Sequence, residues 1–331
     1  MSRFVCLAAV AACLFMPALS AQDAAPFTAE LVSCAKIWNE APHSAFTGLI
    51  HRGGEWFCVF REGRGHVSPD GALRVITSKD GESWTAAARI TSDTADLRDA
   101  QITETPDGRL MLTGAAAWHT PKPATHMTMA YFSKDGREWT PGVEIGEPDY
   151  WLWRVTWHKG TAYGVGYVTT KGARGTRLYK SADGITFETL VPDLVTDGEA
   201  NESSIQFLAD DTAVCLLRRD AGGNGLVGTA RPPYTEWAWK DLGQRIGGPH
   251  FIEVPEFGFV AAVRLYEPAA RTALCSLDPA TGVFHEILAL PSGGDTSYPG
   301  LVWKDGLLWV SYYSSHEDKT SIYLAKVSLK K

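Results

Sequence analysis

Apolar residues recur in short runs, each broken by a tight polar turn, and the same grouping returns again and again. "FTGLIHRGGEWFCVFREG" leads to "ALRVITSKDGESW"; "AQITETPDGRLMLTGAAA" leads to "MTMAYFSKDGREW"; "RVTWHKGTAYGVGYVTT" leads to "GTRLYKSADGITF". Each reads as strand, turn, strand, polar loop, third strand, then a turn and an aromatic. Turn pairs such as Asp107-Gly108 and Asp305-Gly306 separate the runs, as hairpins require. No stretch after the N-terminal segment keeps a helical period over a useful length, so the pattern predicts an all-β chain.

The grouping is an internal repeat. Three copies carry Ser-x-Asp-Gly-x-x-aromatic, at 78–84, 133–139 and 181–187. Asp80, Asp135 and Asp183 are expected to accept backbone N–H bonds, with Gly81, Gly136 and Gly184 relieving the turn. Trp84, Trp139 and Phe187 are expected to pack between neighbouring sheets. The unit continues in weaker form through "SSIQFLADDTAVCLLRRD", "HFIEVPEFGFVAAVRL" and "YPGLVWKDGLLWVSYYSS". Six four-stranded units of this length predict a six-bladed β-propeller. The last unit shows only three strands, and "AELVSCAKIW" at 29–38 is the spare that would close the ring and remove two free edges.

Composition adds bounds. The chain is 45% hydrophobic and 21% charged, enough for a large core, and its net charge of -7 lacks the basic stripe of a nucleic-acid binder. Arg3, the apolar "FVCLAAVAACLFMPAL" and the small residues of "ALSAQD" read as a signal peptide over 1–21, followed by a single domain over 22–331. "VAAC" ending at Cys13 resembles a lipoprotein cleavage box, but the apolar "LFMPAL" behind it is unlike a mature lipoprotein start. The expectation is a secreted or periplasmic monomer with no membrane span. Cys34, Cys58, Cys215 and Cys275 lack C-x-x-C spacing, so they read as free thiols rather than a zinc site.

Propeller blades present the starts of their innermost strands around one end of the axis. Those starts carry Arg98 and Asp99, Trp153 and Arg154, Asn201 and Glu202, His250, and Tyr298. Polar residues recurring at a packing position predict a functional funnel. Arginines gather near the same end (Arg61, Arg64, Arg98, Arg154, Arg218, Arg219 and Arg264), and their forks suit carboxylates. His66 and Asp70, in "GRGHVSPDG", compete for proton donation, and histidine is favoured because it titrates near neutrality. Trp118, Trp151, Trp153 and Trp157 are candidate sugar platforms, though core packing suits most of them better.

The three turns are Asp boxes, and a six-unit Asp-box chain resembles the sialidase superfamily. Sharper matches lie late in the chain. In "NESSIQFLADDTAVCLLRRD", Glu202 stands in the place of the family glutamate, and Arg218 or Arg219 in that of an arginine. In "SYPGLVWKDGLLWVSYYSS", Tyr298 stands in the nucleophile's place, while Arg264 or Arg271 offers a further arginine. Where sialidases open their first blade with Arg-Ile-Pro, this chain has "AFTGLI", without an arginine, and Arg154 is the residue that could substitute for it spatially. The resemblance implies hydrolysis of a terminal acidic glycoside with retention. Tyr298 would be nucleophile, Glu202 its base and His66 or Asp70 the acid. Arg154, Arg219 and Arg264 would hold the carboxylate, with Arg98, Asp99, His250 and Arg61 nearby. No cofactor and no metal are expected, and the partner is an acidic glycan. A uronic-acid lyase and a non-catalytic glycan-binding propeller are the alternative readings.

Overall fold

A computed structural model describes residues 25–120 and 124–331. Residues 1–21, read from the sequence as a signal peptide, lie outside the described residues. Every regular element described is a strand, and the 24 strands form six four-stranded antiparallel sheets. Five sheets are built from consecutive strands, forming blades over residues 43–90, 95–145, 150–195, 200–241 and 246–289. The sixth takes its three inner strands from 296–330 and its outer strand from Thr28–Trp38. That outer strand pairs antiparallel with Ser321–Lys330, from Thr28 opposite Lys330 to Trp38 opposite Ile322. The ring is thus a six-bladed propeller sealed by the two ends of the domain, as the spare strand predicted.

The core lies between blades. Six clusters of buried apolar side chains follow the six blade junctions, as where Val214, Leu216 and Val227 of the fourth blade meet Phe251, Val263 and Phe284 of the fifth. Alternate residues of each strand face one neighbour or the other, so both faces of every sheet are apolar. Cys58, Cys215 and Cys275 are buried free thiols in these layers.

The Ser-x-Asp-Gly turns behave alike in all three copies. Asp80 Oδ1 accepts the Glu82 and Ser83 amides, both at 2.8 Å, while Ser78 Oγ accepts the Gly81 amide at 2.8 Å. Asp135 and Asp183 repeat this with the amides two and three residues on. These bonds hold the Asp80 carboxyl down to about 2. Gly81 has φ +73°, and a Cβ there would come within 2.5 Å of the Trp309 ring in the preceding blade. The repeated turn is therefore an inter-blade clasp, which accounts for its spacing in the sequence.

Candidate active site

One irregularity recurs around the ring. The pairing of each innermost strand with its neighbour breaks between Ala45 and Gly48, Arg98 and Gln101, Leu152 and Val155, Ala200 and Ser203, Gly247 and His250, and Ser297 and Gly300. Two residues fall in each break, and a β-bulge of this kind re-aims side chains out of the pleat. The first bulge residues are Phe46, Asp99, Trp153, Asn201, Gly248 and Tyr298. Four of them have φ between +51° and +64°: Phe46, Asp99, Gly248 and Tyr298. Such a left-handed backbone is costly for bulky residues such as Phe and Tyr and persists only where the surroundings enforce it.

Tyr298 is the centre of the result. Its Oη donates to Glu202 Oε1 at 2.6 Å, and it accepts from Arg218 Nη1 at 2.9 Å. Arg218 Nη1 also lies 2.7 Å from Glu202 Oε1, while the Gly248 amide donates to Glu202 Oε2 at 2.9 Å. The phenol ring is boxed edge-on by Phe46 at 5.0 Å and Trp153 at 5.7 Å. It also lies against Gly248, where a Cβ would meet it at 2.7 Å. Burial, reinforced by the Glu202 charge, pushes the Tyr298 phenol well above its ordinary range. Burial works against the Arg218 charge, but Glu202 outweighs it and keeps the guanidinium protonated. The phenol therefore rests neutral, with an acceptor for its proton and a cation on its oxygen.

Arg264 flanks the other side, its guanidinium carbon 5.3 Å from the Tyr298 ring centre. It donates to Asp295 Oδ1 and Tyr313 Oη, both at 2.9 Å, and to the Thr296 carbonyl at 2.8 Å. His66 stands at the rim, its side chain about half exposed, with Nδ1 2.7 Å from Asp295 Oδ2. Phe46 separates His66 from Tyr298, 5.1 Å from the imidazole centre. Against the burial that opposes its charge, hydrogen bonds from His43, His66 and Tyr313 hold the Asp295 carboxyl well below the usual range.

Other candidates take different places. Arg219 points away from the pit, bound to Asp197 at 2.9 Å and Asp241 at 2.7 Å, so Arg218 and not Arg219 is the inward member of the pair. Arg61 is fully buried and structural: it binds Asp96 at 2.8 Å and the Gly65 and Ser68 carbonyls, anchoring the loop that carries His66. Arg98 caps the same Asp96 at 2.6 Å. Asp70 sits in the exposed part of that loop, accepting the Arg64 amide at 3.3 Å, and does not reach the pit.

Arg154 lies behind Tyr298 and donates to the Pro299 carbonyl at 2.7 Å; burial lowers its guanidinium to about 9. His250 shares with Arg154, Gln101 and Ser204 a cavity of about 300 Å³ further along the axis. Burial, then the Arg154 charge, keep His250 neutral. Asp99 is buried with Oδ1 unpartnered, and burial, then the Glu202 charge, raise its carboxyl well above the usual range. Trp151 and Trp153 are buried wall residues, 7% and 2% exposed, rather than open sugar platforms.

The sequence reading missed Asp295, Tyr313, His43 and Phe46. Phe46 was detectable, because it occupies the bulge position of the first blade; the other three lie outside the recurring position.

No protein-family model and no curated protein matches the chain by sequence. Solved structures do match. A Dyadobacter fermentans protein of unknown function superposes with TM-score 0.78 at 18% identity, covering 92% of this chain and 100% of that one. The α-L-arabinofuranosidase Arb93A of Fusarium graminearum gives 0.66 at 13% identity, over 90% and 97%. Trypanosoma rangeli sialidase gives 0.68 at 14% identity, with 90% of this chain spanning 59% of the sialidase. The fold is therefore the six-bladed propeller that these structures share.

Proposed function

We propose that the protein is an exo-acting, retaining glycoside hydrolase that uses Tyr298 as nucleophile on a terminal acidic sugar, and that it acts outside the cytoplasm after loss of residues 1–21. The observation carrying this reading is the 2.6 Å Tyr298–Glu202 hydrogen bond with Arg218 on the same phenol oxygen. A phenol attacks poorly until an adjacent base takes its proton. Glu202 takes that proton as Tyr298 Oη bonds to the anomeric carbon, and Arg218 offsets the charge that develops on the oxygen. A neutral nucleophile suits a substrate with a carboxylate at the reacting carbon, a role known for tyrosine in sialidases. The open faces of Arg218 and Arg264 would receive that carboxylate. His66 gives a proton to the departing glycosidic oxygen, then takes one from the water that attacks the glycosyl-tyrosine. Tyr298 leaves as the C–O bond breaks and recovers its proton from Glu202. Arg154, assigned from sequence to the substrate carboxylate, instead fixes the backbone that follows the nucleophile.

One observation favours a second reading. Arg218 and Arg264 already bind Asp220 and Asp295 within the chain, which lowers the positive charge left for a substrate and would suit a neutral furanoside. Aryl α-sialosides, aryl uronides and aryl α-L-arabinofuranosides, assayed side by side, separate the two. Turnover of an acidic glycoside that disappears in Tyr298→Phe supports the first reading, and turnover of the neutral furanoside alone supports the second. Binding without turnover, or full activity in Tyr298→Phe, removes the nucleophile.

A further inference from the structure

Three metal-ligand atoms from distant parts of the chain meet beside the pit. His43 opens the innermost strand His43–Arg52, His66 sits in the loop held by Arg61, and Asp295 immediately precedes the strand Thr296–Lys304. His66 Nδ1 is 2.7 Å and His43 Nε2 is 3.3 Å from the same oxygen, Asp295 Oδ2. One potential ligand atom from each of the three residues lies within 4.8 Å of those of the other two. The other oxygen, Oδ1, is occupied separately by Tyr313 at 2.7 Å and Arg264 at 2.9 Å.

This division of the carboxylate resembles a ligand with its supporting shell. Hydrogen bonds on one oxygen fix its orientation, and the other faces two imidazole nitrogens. With metal bonds of about 2.0–2.2 Å in a tetrahedron, neighbouring donors stand roughly 3.3–3.6 Å apart. The His43–Asp295 spacing of 3.3 Å already has that value, and the His66 ring, half exposed on its loop, has only to swing outward slightly. Two imidazoles and one carboxylate match zinc and its late first-row neighbours, whereas calcium and magnesium demand more oxygen ligands.

We propose that His43, His66 and Asp295 form a binding site for a late first-row divalent cation, Zn2+ foremost, whose fourth position opens to the mouth of the pit. On binding, His43 Nε2 and His66 Nδ1 release any proton they carry to solvent, and Asp295 exchanges their N–H contacts for the metal. A consequence rests on the hydrolase reading above. Zinc on Nδ1 leaves His66 Nε2–H with only an imidazolate as conjugate base, so His66 stops serving as the acid and hydrolysis is inhibited.

The test is calorimetric titration of the chelator-treated protein with ZnCl2, in wild type, His66→Ala, His43→Gln and Asp295→Asn. One zinc per chain is expected in the wild type, weakened at least about tenfold in each variant. Circular dichroism reports which variants fold. Asp295→Asn also disturbs Arg264, so His66→Ala, at an exposed loop position, keeps the test decisive. Absence of zinc binding by the wild type, or wild-type affinity retained in both His66→Ala and His43→Gln, overturns the site. The titration decides this whether or not the protein hydrolyses any glycoside. If zinc binds at these residues and leaves an observed hydrolysis unchanged, the site stands and the acid role of His66 falls.

Discussion

Tyr298 and Glu202 lie 96 residues apart in the chain, and their oxygens meet at 2.6 Å in the centre of the ring. Each occupies the bulge of its own innermost strand, Tyr298 at the first position and Glu202 at the second. A pleated strand without the extra residue would turn one of the two side chains into a blade junction. The bulge is thus the local device that converts a packing position into a chemical one.

That pairing makes the two residues act as a unit. Glu202→Gln retains the shape and loses the proton acceptor. Its turnover should fall at least about 10²-fold, the usual minimum for a lost general base. Tyr298→Phe should fall at least as far, and the double variant should cost little more than Tyr298→Phe alone. Initial rates on the best substrate of the glycoside panel measure this, and additive losses would contradict it.

Neighbouring arginines should behave oppositely. Arg218→Lys keeps the charge but loses the fork shared among Tyr298, Glu202 and Asp220. A loss of about 10–100-fold in kcat/KM is expected from one missing charged hydrogen bond. Arg219→Ala removes contacts to Asp197 and Asp241 on the outer side and should leave kcat/KM within about twofold, since surface ion pairs contribute little. Equal effects would mean that the inward assignment of Arg218 is wrong.

Asp99 couples stability to pH. Its folded carboxyl is raised by burial and then by Glu202, so the folded state binds the proton more tightly than the unfolded chain does. The associated stability is full below the unfolded value of roughly 4 and is lost as pH rises toward the folded value. Asp99→Asn cannot ionise, and asparagine tolerates the φ of +52°. Denaturation midpoints at about pH 5 and about pH 8 should therefore show the variant gaining on the wild type as pH increases. Parallel profiles would refute the coupling.

Gly81 tests the inter-blade clasp. Alanine there meets both the φ of +73° and the Trp309 ring at 2.5 Å. A loss of about 2–5 kcal/mol is expected from backbone strain plus overpacking. Gly54→Ala is the control, because its φ of +76° is similar but nothing lies within 4 Å of the added methyl. The difference between the two, read by thermal unfolding, isolates the packing part.

Repetition made the fold legible. Six copies of one hairpin pattern, three with a shared turn, determine blade number, and the missing strand of the last copy identifies its replacement. The same repetition located Glu202, Tyr298, Asp99 and Arg154, because all four fall in the two-residue bulge that recurs in each blade. It could not separate Arg218 from Arg219, since strand parity is fixed only by the register that pairs Ala200 with Arg219 across the hairpin. Asp295 and His43 escaped notice for a different reason. They sit at strand entrances where no periodic signal distinguishes a ligand from a turn former, and only closure of the ring brings blade 6 against blade 1. Arg61 was misleading because a buried arginine that anchors a loop has the same sequence signature as one that binds substrate.

The central claim is a covalent bond between sugar and Tyr298. Rapid quenching of the protein during incubation with the best aryl glycoside of the panel, followed by proteolysis and peptide mass mapping, tests it directly. A glycosyl adduct on the peptide containing Tyr298, absent in Tyr298→Phe, is predicted. An adduct on Glu202 or another carboxylate would contradict it, as would an α-to-β change in the first-released sugar.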